Sequence, residues 1–548
     1  MRWWILIRII LVLLVLLSSL ASATFETTGF DNWFLQQKDW VRTSETIAWP
    51  RLGWAEAKLG NETWTDYELS LKIKPEEYGE DGAVRIYFRT SAPFLTYGLH
   101  IQEDKISLNR FDGNLGNWRE LGMADVGIKA GEVAKIGLKV VENEFTVFLN
   151  DKMIIEASSI KYKSGGISLW AENTKFTASE FSIKGTEDET KITKTSGYYP
   201  KGDPRSGGVN DLMLIYTNYG LSWSGLDALP YVTYMGKLDG AELPIYDWFF
   251  DSFLFLALVG PNGTAFDAPS RGTPAAKDEW QWFIDSLYEE NRQLAGFERA
   301  YEIGKNSLDL KQKGKVYIMI PNPMAEIKNF GDVDGTGSLN FSWQDASKAT
   351  DHRFRAVKWY IDQVTERFKA AEFENIELVG FYWLEEMIHY EIPGEADLIR
   401  KVSDYLHEKD LKLSWIPWFN ASGHKDWESL GFDLCIHQPN YMFGDAAISR
   451  FSDVTRQAQT YGQGIEIEAD GRVFSDRSRR ERFINYLRAG VTYGYRTEAV
   501  HGYYQDAFVF SQAALSSSPD ARELYDMVYD YVKGDFDEPL GAKTQYNY

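Results

Sequence analysis

Two stretches of this 548-residue chain close an apolar run with paired acids: Leu378-Val-Gly-Phe-Tyr-Trp-Leu-Glu-Glu386 and, further on, Gly462-Gln-Gly-Ile-Glu-Ile-Glu-Ala-Asp470. Carboxylates at the end of a buried strand are costly unless a partner or a task compensates them. Two such ends in one domain point to paired-carboxylate chemistry, of which glycoside hydrolysis is the leading case. Structural ion-pair sites are the plain alternative. Glu466 and Glu468 share a face, because side chains along a strand repeat with period two. In a retaining pair one carboxyl stays protonated while the other is ionised, about 5–5.5 Å apart; an inverting pair stands about 6.5–9.5 Å apart.

Other chemistries find little support. The one cysteine, Cys435, sits in an apolar run and reads as a buried, inert thiol. The seven histidines are scattered and form no HExxH pair, so no metal site is expected. Asp332-Val-Asp-Gly-Thr-Gly337 resembles half of a calcium loop but lacks the closing Glu, and reads as a polar turn. No cofactor is expected, because Tyr216-Thr-Asn-Tyr-Gly220 after the first parallel strand is not a glycine-rich phosphate loop. A net charge of -22 argues against nucleic acid, an anionic membrane or a strongly anionic glycan as partner. The expected partner is a neutral polysaccharide or oligosaccharide. The aromatic share of 15% suits sugar faces as well as cores.

The acids need elements to hold them. From residue 209 to 536 strand patterns alternate with helical ones, which implies a parallel α/β architecture. Eight strands are expected: Asp211 to Tyr216, Asp251 to Leu258, Lys315 to Ile320, Glu377 to Trp383, Lys412 to Pro417, Phe432 to His437, Gly464 to Glu468, and one near Ala499 to Tyr504. Helices are expected at Asp278 to Tyr301, His352 to Ala371, Glu395 to Lys409, Ser475 to Ala489 and Asp520 to Val532. This fits a (β/α)8 TIM barrel, whose active site lies at the carboxyl ends of the strands. Those ends supply rings to stack on sugars and polar groups to bind hydroxyls. Candidate substrate contacts are Tyr216, Asn218, Asn322, Trp383, Trp415, Trp418, His437, Gln438, Asn440, Tyr441, Tyr503 and Asp506. The candidate catalytic residues are Glu385, Glu386, Glu466 and Glu468.

Ahead of the barrel, residues 1–23 have the charged start, short apolar core and small-residue end of a secretory signal, with an uncleaved anchor as the other reading. Secretion is expected, with no membrane association once the signal is removed. Residues 25–186 show short alternating strands separated by turn-formers, an all-β sandwich. Candidate sugar contacts there are Tyr87, Arg89, Tyr97, His100 and Trp170, against the plain reading of core packing. Residues 187–208 are a polar linker, and 537–548 a polar tail.

The first domain's Trp64-Thr-Asp-Tyr-Glu-Leu69, Tyr97-Gly-Leu-His-Ile101, Phe148-Leu-Asn-Asp-Lys152 and Gly165-Gly-Ile-Ser-Leu-Trp170 resemble concanavalin-A-like jelly rolls of the lectin/glucanase type. That resemblance implies a carbohydrate-binding module. Acidic ends on strands four and seven resemble the clan-A glycoside hydrolases, and Gly380-Phe-Tyr-Trp-Leu-Glu-Glu386 is similar to secreted barrel families of unknown function. The clan resemblance implies an acid/base after strand four (Glu386, with Glu385 second) and a nucleophile on strand seven (Glu466 or Glu468). The clan's usual Asn before its catalytic Glu is replaced here by Glu385 or Leu384. Two rival functions stay open: a noncatalytic carbohydrate-binding cell-surface protein with a degenerate barrel, and a polysaccharide lyase using His437 with Tyr441.

Overall fold

The computed structural model describes residues 23–60, 63–92, 95–112, 118–188, 197–236, 244–309, 313–342 and 346–541. The expected signal (all but Ala23), the middle of the linker (189–196) and the end of the tail (542–548) lie outside the described residues. The chain divides into two compact units, Met1–Thr193 and Lys194–Tyr548.

The first unit is an all-β sandwich. Two long strands, Trp64–Ala92 and Gly166–Glu187, pair with each other antiparallel and run through both layers. The first half of Trp64–Ala92 pairs with Ala134–Val141, and its second half with Leu95–Ile101. The sequence pattern predicts two strands here with a turn at Glu80-Asp-Gly82. Instead the chain bends without leaving the ladder. Asp81 takes φ 53° and Asn173, on the strand opposite, takes φ 43°, while Asn173 Nδ2 donates to the Glu80 carbonyl at 2.9 Å. Asn and Asp tolerate that left-handed geometry better than most residues. Alternate residues of both layers, such as Leu69, Leu71, Ile86, Phe88, Leu99 and Leu138, fill one core. Tyr97 belongs to that core. Arg89 is buried and donates to the carbonyls of Thr65 and Tyr162 and to the Asp66 carboxylate. These two are packing residues, not sugar contacts.

The second unit is built on a closed barrel of eight parallel strands. In order they are Asp211–Tyr216, Ser252–Leu256, Gly314–Ile320, Ile376–Trp383, Lys412–Trp415, Leu434–His437, Gly464–Glu468 and His501–Tyr504, the last pairing with the first. Half of them are buried along their whole length, which is why they read as unbroken apolar runs. The expected helix over Asp278 to Tyr301 is two helices, Lys277–Leu287 and Gln293–Gly304. Asn291 at φ 60° and Gln293 at φ 44° turn the chain between them. Helices Gly225–Val232 and Arg450–Tyr461 occupy links where no helix was expected. The link between strands five and six carries only the 3-10 turn Glu428–Leu430, so helices and strands do not alternate throughout.

Candidate active site

The fourth strand ends at Trp383, and the chain carries its two acids just past the barrel rim. Glu385 is tied down on every side. Its carbonyl accepts from Trp415 Nε1 at 2.8 Å, and its carboxylate accepts from Asn322 Nδ2 at 2.7 Å. The same carboxylate faces His389 Nε2 at 3.5 Å, and His389 Nδ1 lies 3.0 Å from Glu391. Burial works against the charged imidazole, but the two carboxylates outweigh it and push His389 up to about 10. Glu385 therefore has a standing cation beside it. Glu386 turns the other way and lines the cavity.

Glu386 is open to water along the cavity mouth while protein walls it on its other sides. Desolvation by those walls raises its carboxyl to about 7; the Gln438 amide opposes the rise, and Glu385, Glu468 and Asp267 add to it. Water at the mouth moderates this shift.

On the seventh strand Glu466 and Glu468 both line the cavity, at 3% and 1% exposure. Glu468 accepts from the Tyr486 hydroxyl, from the Tyr441 backbone N–H at 3.2 Å and from Asn440 Nδ2 at 3.2 Å. Helix Arg477–Tyr493 delivers Tyr486; Asp476 caps its start and Phe483, Ile484 and Leu487 bury its inner face. Asn440 takes φ 47°, which folds the chain back off strand six so that its side chain reaches both Gln438 and Glu468. Burial raises Glu468 to about 7 despite these three donors. Glu466 has no hydrogen-bond partner among the described residues. Burial, then the nearby Glu468 and Glu386, push it well above the usual carboxylate range.

The cavity measures about 230 Å³. Besides the three glutamates it is lined by Tyr216, Tyr382, Gln438, Asn440 and Tyr504, and by an apolar wall of Leu214, Leu256, Leu258, Leu384, Ile416 and Phe443. Of the expected contacts, Tyr216, Gln438 and Asn440 are present. Others lie elsewhere for traceable reasons. Trp383 is fully buried outside the cavity, and Trp415 stacks on Phe432 at 5.0 Å. His437 stacks on Phe419 and His424, and burial lowers it to about 4, leaving it neutral and away from the cavity. Tyr503 donates to Asp211 at 2.9 Å, at the opening of the first strand. Asn218 clips the first two strands together by accepting from the N–H groups of Leu258 and Val259. Asn322 serves Glu385, Tyr441 contributes its backbone N–H, Trp418 is half-buried outside the lining, and Asp506 is exposed.

The family described as "Domain of unknown function (DUF4855)" matches residues 211–530. The chain belongs to this family. The DUF4855 region starts with the first residue of the first barrel strand, so it contains all eight strands and every residue lining the cavity. No curated protein matches the chain. Solved structures similar to part of it include the carbohydrate-binding module CBM66 from Bacillus subtilis (14% identity, 28% of this chain and 96% of that one, TM-score 0.25). Another is a Bacillus subtilis protein of unknown function with a galectin-like fold (9% identity, 30% and 90%, TM-score 0.23). A third is the VIP36 exoplasmic/lumenal domain in its Ca2+/Man3GlcNAc-bound form (13% identity, 29% and 83%, TM-score 0.24).

Proposed function

We propose that the DUF4855 region is a glycoside hydrolase in which Glu386 is the acid/base and Glu468 the nucleophile. The observation that carries this reading is that carboxyls from strands four and seven line one cavity in unlike surroundings. Glu468 has three donors that favour its ionised form, whereas Glu386 has only the Gln438 amide. Near neutral pH the pair then holds one proton, on Glu386. Glu386 gives that proton to the glycosidic oxygen as the bond to the anomeric carbon breaks, and the Glu468 carboxylate bonds to that carbon. Water then attacks the same carbon, passing a proton back to Glu386 and releasing Glu468. Glu385, held by Asn322, Trp415 and His389, is a positioning residue that fixes the turn presenting Glu386.

The barrel is best read as a (β/α)8 barrel whose fifth helix has shrunk to a single turn. The all-β unit is best read as a jelly-roll carbohydrate-binding module. Tyr87, His100 and Trp170 group there with the half-exposed Trp118 and the exposed Trp54, away from the core. Residues 1–23 fit a secretory signal that would bring the enzyme to extracellular glycans.

Reducing-sugar release from a panel of polysaccharides by the full chain tests the reading. Glu386→Gln and Glu468→Gln should each lower kcat by roughly 10²–10⁴ or more with folding kept. Release unchanged in both variants, or binding without any release by the unmodified protein, would refute it, the second in favour of a noncatalytic binder.

A further inference from the structure

A two-carboxylate mechanism uses Glu386 and Glu468 and leaves Glu466 over. Glu466 lies two residues before Glu468, about 7 Å deeper along the strand. Its carboxyl faces the cavity at 3% exposure and meets no hydrogen-bond donor among the described residues. Among the described residues no Lys, Arg or His lines the cavity. Of the nearby guanidinium groups, Arg271 is held by Asp267 at 2.7 Å, Arg472 is held by Asp470, and Arg450 stacks on Phe419 and donates to the Pro439 carbonyl.

A protonated carboxyl serves a neutral hydroxyl about as well as an amide does, and strand six places two amides, Gln438 and Asn440, in the same cavity. What a carboxyl adds over an amide is attraction for a cation, against the cost of burying it. No group of three or more His, Cys, Asp or Glu among the described residues is placed to hold a metal ion. A saccharide that carries an amine supplies such a cation itself. The apolar wall opposite, including Leu214, Leu256 and Ile416, suits the carbon face of a ring. The net charge of -22 draws in a positively charged polymer and repels an anionic one.

We infer that the cavity takes a saccharide bearing a free, protonated amine, seated against Glu466 at the floor. This deepens the glycoside hydrolase reading and rests on it for the sugar, and it replaces the neutral glycan expected from composition. Burial and the neighbouring glutamates keep Glu466 protonated. An arriving ammonium pairs with the carboxylate, and the carboxyl proton leaves to solvent.

The test is calorimetry with the full chain carrying Glu386→Gln, which blocks turnover. The probes are glucosamine and galactosamine, as monosaccharides and short oligomers, against their N-acetyl counterparts and the matching glucose and galactose sugars. Runs in phosphate and in Hepes, neither of which carries a primary ammonium, report proton exchange. Amine sugars should bind roughly tenfold or more tighter than their N-acetyl forms and release about one proton per site. Adding Glu466→Gln should remove both the preference and the release. Equal or tighter binding of N-acetyl or neutral sugars overturns the inference, as does absence of binding by every amine sugar, or a preference that survives Glu466→Gln. Saturable stabilisation by calcium or magnesium chloride that needs Glu466 overturns it in favour of a metal site. The preference for amine sugars over their N-acetyl forms needs no Glu466 variant, so its absence overturns the inference even if that variant misfolds. Turnover by the unmodified protein separates the two readings. Amine sugars bound but never cleaved leave this inference standing and remove the hydrolase. Neutral sugars cleaved with amine sugars ignored do the reverse.

Discussion

The Tyr486 hydroxyl is the donor through which a helix outside the barrel sets the charge of a carboxyl inside it. It favours ionised Glu468, so Tyr486→Phe should raise the Glu468 pKa from about 7. If Glu468 must be ionised to attack, the acidic limb of the kcat/KM profile moves to higher pH, while the alkaline limb, set by Glu386, stays in place. An unmoved acidic limb in a folded Tyr486→Phe variant would remove Glu468 from the nucleophile's role. The four acids were legible because carboxylates after apolar runs are conspicuous. The contacts around them were less so. Every strand-borne residue lining the cavity is even-numbered, from Leu214 to Tyr504, and a strand sends odd and even positions to opposite sides. A list of strand-end residues cannot tell which parity faces in. Trp383, Trp415, His437 and Tyr503 were chosen for their chemistry and fall on the outer side, while Tyr382 and Tyr504, one position away, face inward. Once Glu466 and Glu468 are taken as inward, strand seven fixes its own parity. Extending that to the other strands needs the barrel's register.

At the scale of elements, the fourth strand carries the tightest glycine position of the barrel strands. A Cβ on Gly380 would come within 2.3 Å of the Lys412 backbone carbonyl and 2.9 Å of the Tyr317 ring. The first contact is backbone and cannot swing aside. Gly380→Ala should therefore push strands four and five apart and cost about 1–3 kcal/mol, read as a lowered midpoint in urea. Because Trp415 on strand five anchors the Glu385 carbonyl, activity should fall further than stability alone explains. A fully stable and active Gly380→Ala protein would contradict this. The eight strands were legible as apolar runs of strand length. The helices were less so, because Arg450–Tyr461 is short and marks its buried face with only a few apolar residues, Phe451, Val454 and Ala458, where Ala346–Ala370 repeats its pattern over many turns. The division of Asp278 to Tyr301 escaped notice because Asn291 and Gln293 break a helix through left-handed backbone angles, not through Gly or Pro.

Across the whole barrel, titration should act with opposite signs at its two ends. Where the first strand opens, burial raises Asp211, but Lys201 at 2.8 Å and His501 at 3.0 Å outweigh it and hold the carboxyl well below its usual range. A depressed carboxyl contributes stability that is present above its unfolded value of 3.8 and is lost as pH falls through the folded one. At the carboxyl ends of the strands Glu466 is raised. Its folded form binds more proton than the unfolded chain above 4.5, so its contribution is full below that value and is lost as pH rises through the folded pKa. Stability should therefore peak between these windows. Asp211→Asn should cost about 3 kcal/mol at neutral pH, with the deficit shrinking as the medium is acidified below 3.8. Glu466→Gln should do the opposite. It should match the unmodified protein near pH 4.5 and become the more stable of the two as pH rises, because it removes a buried carboxyl that must otherwise ionise beside two other glutamates. Urea unfolding of the three proteins across this range reads both slopes. A Glu466→Gln protein that stays less stable at every pH would mean that the carboxyl is satisfied in the resting fold, and that the barrel floor holds no surplus carboxyl for a cationic ligand.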